Sequence, residues 1–92
     1  MHMEFLQEKN RFYYGPDSGK PLAEITWTWP EEGRLEVNHT FTDPSLRGQG
    51  VARKLVERLA RYAREEGLKV SATCPYAARV LAEGEFSDIY RG

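Results

Sequence analysis

The residues Arg47-Gly48-Gln49-Gly50-Val51-Ala52 have the makings of an anion site built from backbone. Gly48 and Gly50 leave the N–H groups around them bare, and an amphipathic pattern begins directly afterwards. A helix N-terminus carries roughly half a positive charge and several unpaired donors, so glycines that let an anion approach it make a pyrophosphate cradle. Arg53 and Lys54 fall in the first helical turn, where the dipole disfavours a cation by about 0.3–1 kcal/mol, and no acidic residue there compensates. A bound anion removes that conflict. A glycine turn carrying two solvated cations is the alternative, and spacing alone does not choose between them.

Other phosphate-binding patterns fit less well. A P-loop needs a glycine and, after four intervening residues, Gly-Lys followed directly by Ser or Thr, which this chain lacks. In a dinucleotide fingerprint a third glycine would stand where Arg53 is. Metal chemistry is poorly supplied: Cys74 is the only cysteine, and only His2 and His39 could join it, so no metal is expected. The same single cysteine excludes an internal disulfide and points to a reducing, cytoplasmic setting. The 92 residues suffice for one domain with a modest core, spanning 1–92. With 13 Lys and Arg against 14 Asp and Glu, the net charge of -1 gives no general attraction to nucleic acid or membrane. No apolar run approaches the ~20 residues of a membrane span, and Met1-His2-Met3-Glu4 does not open a signal peptide. Asn38-His39-Thr40 matches a glycosylation acceptor, which without an export signal reads as accidental.

The elements that must position the glycine turn follow from hydrophobic period. Strands are expected over Met3–Glu8 and Arg11–Tyr14, and more clearly over Leu22–Trp29, where Ala23, Ile25, Trp27 and Trp29 alternate with Leu22, Glu24, Thr26 and Thr28. Trp27 and Trp29 are assigned to the core. After a turn at Pro30-Glu31-Glu32-Gly33, Arg34–Thr42 alternates again and places Leu35, Val37, His39 and Phe41 on one nominal face. The period then changes. Val51, Leu55, Val56, Leu59, Tyr62 and Ala63 form a helical stripe that ends near Gly67. Leu68–Cys74 reads as a strand stopped by Pro75, and a short helix from Tyr76 to about Glu83 stops at Gly84. Phe86, Ile89 and Tyr90 tie the tail to the core. An antiparallel meander followed by a right-handed βαβ crossover results, with both parallel strands ending beside the glycine turn.

Arg47, Gly50 and Ala52 meet the pattern of Gln or Arg, two residues, Gly, one residue, then Gly or Ala. Together with His39-Thr40 before the turn and Cys74-Pro75-Tyr76 after the crossover, they make the chain resemble the GNAT superfamily of acetyl-CoA-dependent N-acetyltransferases, and within it a minimal single-domain branch. The resemblance covers about Leu22 to Tyr90. It implies an α+β, GNAT-like fold truncated relative to full-length GNAT domains, without the N-terminal helical segment that usually shapes the acceptor pocket.

The same resemblance implies that backbone amides of Gly48, Gln49, Gly50, Val51 and Ala52 hold the pyrophosphate of coenzyme A, with Arg47, Arg53 and Lys54 nearby as cations. The pantetheine arm would lie against backbone near Phe41 and Thr42, like an added strand. Its thioester would then reach His39, Thr40 and Cys74. His39 is either a general base for the acceptor amine or a hydrogen-bonded structural histidine, and a bulge in its strand would change the face it points to. Cys74 is either an acetyl-accepting thiolate or a small buried side chain, and Tyr76 either protonates the leaving thiolate or packs on the arm. The expected function is a small N-acetyltransferase acting on an unidentified amine, as monomer or homodimer. A CoA-binding module with little or no transfer activity is the alternative. Nucleic-acid binding through Arg53, Lys54, Arg58, Arg61 and Arg64 is opposed by the interleaved Glu57, Glu65 and Glu66.

Overall fold

A computed structural model describes residues 3–91; Met1, His2 and Gly92, and with them the readings made on Met1 and His2, lie outside the described residues. Its strands are β1 (Leu6–Glu8), β2 (Arg11–Tyr14), β3 (Ala23–Glu31), β4 (Arg34–Thr42) and β5 (Lys69–Ala72), arranged side by side in chain order. The first four are antiparallel. After the crossover helix α1 (Val51–Glu66), β5 pairs parallel to β4, and α2 (Pro75–Leu81) follows. This is the mixed α+β meander and crossover expected from the sequence.

Several boundaries move for local reasons. β1 is shorter than expected because its pairing with β2 ends at Leu6↔Tyr13. β3 runs through Pro30 to Glu31, where an irregular register lets the ring sit without a ladder N–H, so the reversal itself is only Glu32-Gly33. Gly33 takes φ 81°, the left-handed conformation that the tight reversal needs. Pro75 opens α2 rather than preceding it, since proline at the first helical position loses no intrahelical hydrogen bond.

One face of the sheet holds the core. Phe12, Ala23, Ile25, Trp27, Leu35, Val37 and Val70 meet Leu55, Leu59 and Ala63 of α1 and Ala77 and Leu81 of α2. Phe12, Trp27 and Tyr62 stack as an aromatic group with ring centroids 5.3–5.8 Å apart. The other face carries no helix among the described residues and is knitted by polar side chains. Arg11 donates to Glu24 at 3.0 Å, Thr26 to Asn38 at 2.6 Å, Arg34 to Ser71 at 2.8 Å and Ser71 to Glu36 at 3.1 Å. Trp29, assigned to the core from its spacing, is instead 44% exposed, and its indole donates to Asn10 at 3.1 Å. The strand has bent into the reversal by that point, so period two no longer predicts its environment.

The tail closes the far edge of the sheet. Val70 donates to the Ile89 carbonyl at 2.9 Å and accepts from the Arg91 amide at 2.7 Å, which blunts the free edge of β5. Phe86 and Ile89 are buried beneath it, as expected.

Candidate functional site

The site begins at a bulge in β4. Thr26 pairs with His39, but its neighbour Trp27 pairs with Val37, so Asn38 is an extra residue in the ladder. Up to Val37 the odd positions face the core; beyond the bulge Thr40 and Thr42 do, opposite Ile25 and Ala23. The expectation that His39 and Phe41 share the face of Leu35 and Val37 is therefore corrected. His39 is 53% exposed on the polar face, with Nε2 3.4 Å from Glu24 Oε2. Phe41 is exposed on that face too.

The bulge also parts β4 from β5. Their pairing ends at Val37↔Ala72, and the amides of Thr73 and Cys74 both turn back to the Val37 carbonyl, at 2.9 and 3.2 Å. From Asn38 to Thr42, β4 has β3 on one side and no strand on the other, an edge open to an extended ligand.

At the end of that edge Asp43 sets the turn. Its carboxylate accepts from the Ser45 amide at 2.9 Å and the Ser45 hydroxyl at 2.6 Å, and its own N–H donates to the Leu22 carbonyl at 2.7 Å. These bonds fix the short 3-10 turn Pro44–Leu46 and aim the chain at Gly48 (φ 83°) and Gly50 (φ 70°). A Cβ at either glycine would meet nothing within 4 Å, so glycine is required there by backbone conformation rather than by crowding.

Gly50 occupies the N-cap of α1, where Ser, Thr, Asp or Asn would normally satisfy an amide, and no acidic residue follows in the first turn. The first intrahelical bond is Lys54 N–H to the Gly50 carbonyl, and among the described residues no amide from Gly48 to Arg53 donates to a backbone carbonyl. Of this run Gly48, Gly50, Val51 and Ala52 line a cleft of about 200 Å³, whose other walls are Thr42, Leu46, Arg47 and Tyr76. The Thr42 hydroxyl is buried at its wall without a partner. An anionic, hydrogen-bond-accepting ligand suits each of these features.

The expected site residues divide accordingly. Thr42, Arg47, Gly48, Gly50, Val51, Ala52 and Tyr76 come together around the cleft. Gln49 contributes backbone to the turn and its side chain is exposed. Arg53 keeps its amide at the turn but sends its guanidinium to Glu83 at 2.8 Å, Glu85 at 2.6 Å and Glu57 at 3.3 Å. Leu46 and the turn-setting Asp43 were not singled out from sequence, although Asp-Pro-Ser is a recognisable turn-starting string.

Cys74 lies on the core side of the sheet, only 9% exposed, with Sγ 3.6 Å from Thr40 Oγ1. It is the N-cap of α2, and no cap hydrogen bond closes to its side chain. Burial pushes the Cys74 thiol up, but the Ala77 amide, the Thr40 hydroxyl and the Tyr76 amide favour the thiolate and together bring it below its ordinary value. Thr40 is the residue whose part spacing did not reveal, because only the bulge turns it toward Cys74. His39 stays across the sheet.

A family model for GCN5-related N-acetyl-transferases matches residues 11–89, and the chain belongs to that family. The solution structure of a GCN5-like protein from Staphylococcus aureus is 37% identical, with 98% of this chain and 89% of that one covered at a TM-score of 0.84. The ribosomal-protein-S18-alanine N-acetyltransferase of Escherichia coli superposes at 0.60, with 18% identity over 80% of this chain and 51% of that one. A Mycobacterium tuberculosis protein crystallised with CoA superposes at 0.56, with 21% identity over 70% and 40%. The chain thus spans about half, or less, of these two larger proteins, and they bear on the fold alone. No curated protein matches the sequence.

Proposed function

We propose that the protein is an acetyl-CoA-dependent N-acetyltransferase in which Cys74 receives the acetyl group before an amine takes it. The observation that carries the cofactor is the run of unpartnered amides from Gly48 to Arg53, at one end of an edge whose other end is Thr40 and Cys74. Pyrophosphate oxygens accept from those amides, with Arg47 beside them, and the pantetheine amides bond along β4 past Thr42. The CoA-bound relative has the same fold and supports this reading.

The Cys74 thiolate attacks the thioester carbonyl, an S–C bond forms at Sγ, and the bond to the CoA sulfur breaks. The departing thiolate takes a proton, for which the Tyr76 hydroxyl on the cleft wall is the donor. A neutral amine then attacks the acetyl-cysteine, releasing the Cys74 thiolate and passing its proton back to the Tyr76 oxygen, which restores the hydroxyl. The depressed thiol pKa and the Thr40 contact favour this route over direct attack with His39 as base, because His39 faces away from Cys74.

Intact-mass spectrometry after mixing with acetyl-CoA tests the relay. One acetyl on wild type, absent from Cys74→Ser and discharged by spermidine or a lysine peptide, supports it. An unmodified enzyme that still acetylates these amines points to direct transfer, and CoA binding with neither event points to a binding module.

A further inference from the structure

Arg58 differs from the paired arginines of the described chain. Arg11, Arg34, Arg53 and Arg64 each have a carboxylate oxygen within 3.1 Å. Among the described residues Arg58 has none within ion-pair distance: its guanidinium carbon stands 4.5 Å from the centroid of the Phe12 ring, and its Nη1 is buried with no hydrogen-bond partner among them. A desolvated guanidinium donor left in this condition is costly, and an anion that reaches it gains a charge-assisted bond. Arg61, on the next turn, has among the described residues only the Glu65 carboxylate within 4.0 Å, at a distance beyond hydrogen-bonding range.

Both arginines border a cavity of about 300 Å³, whose remaining walls are Met3, Glu4, Phe5 and Leu6, the segment leading into β1. It shares no residue with the cleft at the glycine turn. Arg58 lies two helical turns beyond that cleft, about 10 Å along the axis of α1. Cations at one wall and apolar side chains at the other describe an amphiphilic anion. The volume is near the lower end of ligand pockets, about 300–1,000 Å³, which limits the ligand to a small one. Glu4 lies in the same cavity without pairing to either arginine within 4.0 Å, so it is the chain's own weak competitor.

We propose that this cavity is a second binding site, taking a small monocarboxylate with an apolar tail, its carboxylate on Arg58 and Arg61 and its tail against Met3, Phe5 and Leu6. The planar guanidinium fork suits a carboxylate, and the apolar wall distinguishes such a ligand from inorganic anions.

The full chain, labelled with 15N, is titrated with hexanoate while the amides of residues 3–6 and the arginine side-chain signals are followed. Saturable shifts confined to these groups are expected, absent with hexanamide and with inorganic phosphate. Loss of a charge-assisted contact corresponds to about tenfold or more in affinity, so Arg58→Gln should weaken hexanoate by at least that factor while CoA still shifts the glycine-turn amides. Glu4→Gln, without the competitor, should bind hexanoate at least as tightly as wild type. No saturation with the wild-type chain, equal shifts with hexanamide or phosphate, or undiminished binding by a folded Arg58→Gln would each overturn the proposal.

Discussion

At the residue scale the proposed chemistry turns on two atoms, Cys74 Sγ and Thr40 Oγ1, 3.6 Å apart. A thiol held below its ordinary pKa is more fully ionised than a free cysteine at any pH beneath that ordinary value, and its alkylation rate should rise at correspondingly lower pH. Alkylation by iodoacetamide as a function of pH measures this. Thr40→Val removes the hydroxyl at nearly constant volume, so its inflection should move upward; an unmoved inflection would show that the hydroxyl does not support the thiolate. Of this pair the sequence showed Cys74 with its helix start, but left Thr40 on the wrong face. Strict alternation through Val37, His39 and Phe41 conceals a bulge, because Phe41 is apolar wherever the strand turns it. The adjacent polar residues Asn38 and His39 were the available sign, and a one-residue slip is enough to exchange the faces of everything after it.

At the scale of elements, the glycine turn and α1 were the most legible parts of the chain, because a helical stripe and its terminal glycines are local signals. The helix supplies its own control for the amide cradle. Gly50 and Gly67 flank it with φ 70° and 68°, and both have open space where a Cβ would go. Alanine at either position should cost about 1–2 kcal/mol of stability, the penalty of an L-residue in the left-handed region. Calorimetry with CoA should show weakened binding in Gly50→Ala alone; equal losses in both variants would mean that stability, not the cradle, governs affinity.

The tail that fastens α1 to β5 could not be located so well, since its ion pairs join residues distant in sequence. Hydrogen bonds from Arg53 and Arg64 hold the Glu83 and Asp88 carboxyls below their ordinary values. Lowered folded-state pKa values mean that this contribution is present above the ordinary carboxylate range, near pH 4, and is lost as pH falls through the depressed values. Thermal unfolding between pH 6 and 3, compared for wild type and an Arg53→Gln, Arg64→Gln double variant, should show wild type losing more of its advantage on acidification. A constant difference across that range would dissociate the tail from these pairs.

At the scale of the whole molecule, the protein is a one-sided sandwich of sheet and helices, and this asymmetry assigns its two faces different work. The core face depends on a small set of aromatic side chains: Phe12 is fully buried between Trp27, Tyr62 and the Arg58 guanidinium. Phe12→Ala should therefore cost about 3–5 kcal/mol in urea denaturation, a large share of a small domain's stability. A loss below about 1 kcal/mol would mean that the cluster repacks. The opposite face, with Glu24, His39 and Phe41, is polar and carries no helix among the described residues. The way its strands turn was not legible in the sequence, because a solvated polar face leaves no hydrophobic period of its own to read.

The most direct test of the central claim is a 1H–15N correlation titration of the full chain with CoA and acetyl-CoA. Saturable shifts should centre on the amides of Gly48 to Arg53 and continue through Thr42 to Thr40 and Tyr76, with acetyl-CoA also perturbing Cys74. Saturation at millimolar ligand with these amides unmoved, or no saturation at all, would contradict the placement of coenzyme A on the glycine turn.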